Sequence, residues 1–160
     1  MQRLTILCVG KLQETWWRDA AAEYEKRLKR YCDLKITELP DEKAPERASA
    51  AERDKILRIE GERILKAADP RAPYWALAVK GRRMDSETFA AKLAELPLAG
   101  YPHLQLVIGG SLGLSDEVLK GAAMQLSFSD MTFPHQLMRV ILLEQIYRGF
   151  RILRGEPYHK

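Results

Sequence analysis

Two cysteines in 160 residues are too few to point to a disulfide framework, and a chain of this length does not need one. Cys8 and Cys32 lack metal or redox spacing, which fits a reducing cytoplasm, and Cys8 sits in an apolar run as a small buried hydrophobe. No run reaches the roughly 18 apolar residues that a membrane span needs. Met1-Gln2-Arg3-Leu4 leads straight into a strand-like run with no small-residue cleavage site after it, so a secretory signal is not expected. No Gly-Lys-Ser or Gly-Lys-Thr follows Gly109-Gly110-Ser111-Leu112-Gly113, which excludes a P-loop, and its spacing and late position exclude the dinucleotide fingerprint. No His/Cys/Asp cluster has zinc spacing, there is no Gly-x-Ser-x-Gly elbow, and no metal is expected. Internal repeats and low-complexity tracts are absent as well.

What remains is an ordinary globular composition, 46% hydrophobic and 30% charged, read as one domain over residues 1–160. Leu4 to Val9 reads as a strand ended by Gly10; Trp17, Ala21, Tyr24 and Leu28 repeat at helical spacing. Leu34, Ile36 and Glu38 follow period two until Pro40, and Asp41 to Ser49 is a charged loop. A helix over 50–68 has a narrow apolar face, which places it on the surface. Tyr74 to Val79 is a strand closed by Gly81. Asp85 or Ser86 then caps a helix that buries Phe89, Ala90, Leu93 and Leu96. After a turn over Pro97 to Pro102, Leu104 to Ile108 forms a fourth strand, and Ser115 caps a short helix whose Asp116 and Glu117 suit the helix dipole. Leu126 and Phe128 begin a last strand that Met131 to Phe133 can extend, and a final helix runs from Pro134 or His135 to about Leu153, stopped by Gly155. This α/β alternation predicts a mostly parallel sheet with helices on both faces. Such sheets bind ligands beyond the carboxyl ends of their strands, which points to the turns after Val79, after Ile108 and around Ser129.

The last helix is apolar around most of its circumference, from Leu137 and Met138 through Ile141 and Ile146 to Phe150 and Leu153. A helix packed on a sheet needs one apolar stripe. The surplus is explained by a symmetric homodimer, or by a central helix buried within one subunit. The net charge is +4, and Arg148, Arg151, Arg154, His159 and Lys160 crowd the C-terminus against Glu156 alone. That is the footprint of a nucleic-acid binder or a solvated helix face. Gly109-Gly110 lets the backbone approach a flat or polar ligand, or simply makes a tight turn. Phe128 to His135 mixes hydroxyl, carboxylate and aromatic groups suited to an adenine and a methionine-like tail, although Asp130 or Thr132 equally serve as turn or capping residues. His135 and Arg139, one helical turn apart, can point together into a cleft, or His135 can cap and pack.

The motifs Ile108-Gly109-Gly110-Ser111, Leu126 through Gln136, Arg139-Val140, Glu144-Gln145-Ile146-Tyr147-Arg148 and Arg154 through Lys160 resemble the ribosomal RNA large-subunit methyltransferase H family. Val9-Gly10-Lys11-Leu12 and Pro40-Asp41-Glu42-Lys43-Ala44-Pro45 match it too, so the resemblance spans the chain. It implies a SPOUT-type fold with a C-terminal trefoil knot, S-adenosylmethionine as methyl donor, and a cytoplasmic homodimer. The implied acceptor is N3 of a pseudouridine in a stem-loop of 23S rRNA in assembled ribosomes. By the family's motif, the cofactor pocket comprises Leu77, Gly109, Gly110, Phe128, Ser129, Asp130, Met131, Thr132 and Phe133. Ala78 departs from the pattern, standing where relatives often carry an acidic side chain.

Methyl transfer from a sulfonium is an in-line displacement, and an imide nitrogen attacks best as its anion. Arg139 is therefore expected to stabilise developing negative charge, with His135 as a proton acceptor. Arg148, Arg154, Tyr158 and His159 are expected to bind the RNA, Tyr158 by stacking on a base. Two other classes stay open on the residues alone: a non-enzymatic ribosome-binding or assembly factor, and a nucleotide-dependent small-molecule enzyme.

Overall fold

The computed structural model describes residues 1–160. Ten elements alternate strictly: β1 (Gln2–Val9), α1 (Thr15–Leu28), β2 (Cys32–Leu39), α2 (Ala50–Ala67), β3 (Tyr74–Arg83), α3 (Ser86–Leu98), β4 (His103–Ile108), α4 (Asp116–Gly121), β5 (Met124–Ser127) and α5 (His135–Leu153). The strands form one sheet in the order β2-β1-β4-β3-β5, and every pairing is parallel. All five strands therefore end at the same rim.

Side-chain alternation divides β1 between two cores. Leu4, Ile6 and Cys8 face the larger one, with Leu104, Leu106, Trp75 and residues of α1, α3 and α5. Leu7 and Val9 face a smaller one with Val107, Ile64 of α2 and Val118 of α4. Helices thus cover both faces, as the alternation predicts. Gln105, buried in β4, accepts the Asp69 N–H and donates to the Asp69 and Ala72 carbonyls, tying the link between α2 and β3 to the sheet.

The caps are local. Ser49 and Glu52 form a reciprocal capping box on α2, Asp85 accepts the Thr88 N–H, and Ser115 accepts the Val118 N–H. Several boundaries differ from the sequence reading. Helix α3 takes in Pro97 in its final turn. β5 starts at Met124 and ends at Ser127, leaving Phe128 to Phe133 irregular. α2 buries Ile56, Glu60, Gly61 and Ile64, and a Cβ at Gly61 would collide with Ser115, so the glycine lets α4 approach closely.

Helix α5 lies between α1 and α3 on the larger core. Leu142, Leu143 and Ile146 are fully buried, while Leu137, Val140 and Ile141 are half-buried. Most of its apolar circumference is thus taken up within one subunit. The central-helix account explains the bulk of the surplus, and a short strip is left for another surface.

Candidate functional site

A cavity of about 900 Å³ opens beyond the carboxyl ends of β3, β4 and β5, closed on one side by the start of α5. Each wall has a local cause. In β3, Leu126 of β5 pairs with Leu77 and then again with Arg82, so Ala78 to Gly81 are looped out of the ladder. The loop needs Gly81, because a Cβ there would stand 2.7 Å from the Gln125 carbonyl. Leu77 is the last residue before the excursion, and Ala78, Val79 and Lys80 form a lip. At the end of β4, a Cβ on Gly109 would run into the Gly113 carbonyl, and the Gly113 N–H donates back to the Gly110 carbonyl at 3.1 Å. The pair is a tight turn and also a bare backbone wall. After β5, Ser127 Oγ donates to the Ser129 carbonyl and Ser129 Oγ accepts the Met131 N–H, folding the 127–131 segment on itself.

Leu77, Gly109, Gly110, Phe128, Ser129, Met131, Thr132 and Phe133 all line the cavity. Asp130 does not: its exposed carboxylate pairs with Arg83 at 2.8 Å, on the outside of the lip. Leu114 and Lys80, which the sequence reading did not name, line it too, as do Gln136, read only as the end of the family-like run, and Met138, read only as part of the apolar surface of the last helix. Met138 carried a usable signal, since it lies one helical turn beyond Pro134.

His135 lines the cavity, and its ring lies over Gly10: a Cβ there would be 3.1 Å from Cε1. Gly10 also has φ +96°, so both backbone and space call for glycine. Burial, and then the charge of Arg139, hold the His135 pKa below its ordinary value, while Asp41 and Glu14 pull the other way. The imidazole is therefore neutral near pH 7.

Arg139 is turned away from the cavity. It is 4% exposed; Nη1 donates to Glu38 Oε2 at 2.8 Å and Nη2 to the Gly10 carbonyl at 3.1 Å. Glu38 Oε2 also accepts the Leu12 N–H. Arg139 thus clamps the β1–α1 turn to the end of β2. The expected convergence of His135 and Arg139 in one cleft is not what the structure has; a carboxylate 101 residues away claims the guanidinium.

Three of the expected RNA-binding residues come together away from the cavity. Glu144 Oε1 accepts from Arg148 and from the Tyr158 hydroxyl, Arg148 lies 4.8 Å from the Tyr158 ring centroid, and His159 meets Arg148 and Glu87. Burial and Glu144 push the Tyr158 hydroxyl above its usual range. Arg154 stands apart, over the Tyr31 ring at 4.5 Å. No three His, Cys, Asp or Glu side chains are grouped as a metal site, and no helix is long and apolar enough to cross a membrane.

Residues 2–159 match the family model described as Predicted SPOUT methyltransferase. The chain belongs to the SPOUT methyltransferase family. Among its relatives, a "Ribosomal RNA large subunit methyltransferase H" from Bifidobacterium adolescentis is 56% identical over 158 residues, 99% of each chain. One of the same name from Clostridium kluyveri is 54% identical, covering 98% of this chain and 99% of its own. A probable methylase family protein from Haemophilus influenzae shares the fold at TM-score 0.54 and 13% identity, over 99% of this chain and 70% of that one. A Legionella pneumophila protein classed as a methyltransferase, solved with bound SAM, does so at TM-score 0.51 and 12% identity, over 92% of this chain and 66% of that one. Membership in the SPOUT methyltransferases makes this protein an enzyme of one-carbon transfer, which removes the assembly-factor reading.

Proposed function

We propose that this methyltransferase carries a methyl group from S-adenosylmethionine to N3 of a pseudouridine in a stem-loop of 23S rRNA, acting on assembled ribosomes in the cytoplasm as a homodimer. Relatives named for large-subunit rRNA, 52–56% identical over nearly the whole chain, support the acceptor class. The observation that carries the donor reading is the convergence of the Gly109–Gly110 wall and the 128–135 segment on one cavity at the strand ends.

The cavity suits such a donor. Its volume of about 900 Å³ lies within the range of small-molecule sites. Phe128, Leu77 and Met138 offer apolar walls for a purine, and the glycine wall brings backbone polar groups close where a Cβ would intrude. When bound, the donor supplies an electrophilic methyl on a sulfonium. The protein's part is to hold the acceptor in line, which is worth roughly 7–11 kcal/mol when the geometry is right. Neutral His135 takes the imide proton. Arg139 has spent its donors on Glu38 and Gly10, but its charge stands behind His135 and favours an anionic acceptor. Arg148, Arg154, Tyr158 and His159 bind RNA, and the trefoil knot fixes the two pocket loops to each other.

Calorimetry with S-adenosylhomocysteine, followed by mapping of the methylated nucleotide in ribosomes from cells lacking the protein, tests the reading. Binding at micromolar ligand and methyl incorporation at a single 23S pseudouridine are expected. No binding at millimolar ligand would reject the donor, and a different modified nucleotide would reject the acceptor.

A further inference from the structure

Glu60 is a buried carboxylate beside the cavity that the donor site does not use. It projects from α2, one turn before Ile64 of the smaller core, and is 3% exposed. Oε2 accepts the Glu42 N–H at 2.9 Å, while Oε1 is buried without a hydrogen-bond partner. Both oxygens press on the far side of Gly110: a Cβ there would be 3.1 Å from Oε1, 3.3 Å from Oε2 and 3.2 Å from Val9 Cγ1. Three residues along the same helix, Arg63 donates to the Pro40 carbonyl at 2.9 Å and to Glu42 Oε1 at 2.6 Å. Two side chains of α2 therefore hold residues 40–42 through three bonds, and one of them also backs the glycine wall.

The segment so held stands at the edge of the site. The Gly10 N–H donates to the Leu39 carbonyl at 2.8 Å where the His135 ring lies over Gly10, and the chain runs on from there through the held residues into exposed Lys43 and Arg47, cations suited to a phosphate backbone. A buried carboxylate with one oxygen unpaired is a costly choice, and a leucine would fill similar volume. What the carboxylate adds is a fixed spacing between two backbones. Its charge is surrounded by Asp41, Glu42 and Arg63, and burial raises its pKa.

We infer that Glu60 is a positioning residue for methyl transfer, whose carboxylate sets the acceptor-side segment 40–42 at a fixed offset from the donor-side wall at Gly110. The inference rests on the methyltransferase reading above. It gives Glu60 no contact with either substrate: the residue acts through the Glu42 amide and the Gly110 backbone.

The test combines hydrogen exchange, S-adenosylhomocysteine titration and steady-state methylation of ribosomes. In Glu60→Ala the Glu42 amide should exchange at least tenfold faster while β4 stays protected. The KM for ribosomes should rise about tenfold, and the Kd for S-adenosylhomocysteine should stay within threefold. Glu60→Gln keeps an acceptor for the Glu42 amide and should restore most of the loss. Arg63→Ala releases the same segment without uncovering a buried group and carries the same expectation, which guards against Glu60→Ala merely unfolding. An unchanged Glu42 amide, a failure of Gln to rescue, or equal losses in donor and acceptor binding would each overturn the inference. Wild-type protein that leaves ribosomes unmethylated would instead reject the functional reading, and hydrogen exchange would still decide whether Glu60 ties the segment.

Discussion

Arg139 spends its hydrogen bonds inside the protein. Replacing it with alanine removes the partner of Glu38 and the donor to the Gly10 carbonyl. Breaking a fully buried pair costs about 3–5 kcal/mol, and Glu38 keeps 36% of its side chain exposed, so a loss near the low end, about 3 kcal/mol, is expected in urea titration. Single-turnover methylation by folded Arg139→Ala separates the two contributions. A rate near wild type from the folded variant removes Arg139 from the chemistry. The histidines predict a pH dependence of stability. Burial lowers the pKa of both His103 and His135, so between those depressed values and about 6.5 the unfolded chain binds more protons than the folded one. Stability is full above that window and falls as pH drops through it. Glu25 and Glu60, raised by burial, act in the opposite sense at its lower end. The pair His103→Asn and His135→Gln should flatten the slope of Tm against pH between about 7 and 5, and an unaltered slope would reject this assignment.

The element that shapes the cavity most is the excursion of β3. Gly81→Val places a side chain against the Gln125 carbonyl, and the lip at Ala78 to Lys80 must move. Binding of S-adenosylhomocysteine is expected to weaken more than tenfold in calorimetry, with Tm reporting that the fold survives. This is also where the sequence is hardest to read. Gly81 after an apolar run is an ordinary strand end, and nothing local says that Arg82 re-pairs with Leu126. Elsewhere local chemistry sufficed: Ser115 caps as read, Asp85 is the one of the two candidates that caps α3, and period-two and helical spacing placed all ten elements in order. Gly109 and Gly110 were legible as a turn because turns at strand ends are local features, whereas Phe128 and Met131 to Phe133, which pattern alone let join the last strand, are irregular. The partners of Asp130 and Arg139 were not legible, since Arg83 and Glu38 reach them only through tertiary folding. The apolar circumference of α5 was visible, but a stripe count cannot tell a neighbouring helix from a second subunit. Here α1 and α3 cover most of it.

At the scale of the whole molecule, the strip of Leu137, Val140 and Ile141 is the part of α5 left half-buried, which the proposed homodimer would cover. Wild-type protein should sediment as a dimer and Ile141→Glu as a monomer that still binds S-adenosylhomocysteine; a monomeric wild type would reject the proposed homodimer, and a dimeric variant would reject this interface. Removal of Pro157 to Lys160 should spare donor binding and abolish methylation of ribosomes. It also strips the Tyr158 and His159 contacts from Glu144, Arg148 and Glu87, so Arg148 must be checked in parallel as Arg148→Ala. Ribosome affinity should fall steeply with added salt, as phosphate contacts require.

Because every strand runs the same way, the rim where they begin is free of the machinery at the rim where they end. Leu98, 89% exposed at the far end of α3, belongs to that quiet side. Both native thiols are buried, with pKa values pushed up to about 12 by that burial. A Leu98→Cys variant would therefore take a maleimide dye there alone, giving a fluorescent handle for watching the enzyme bind and release RNA.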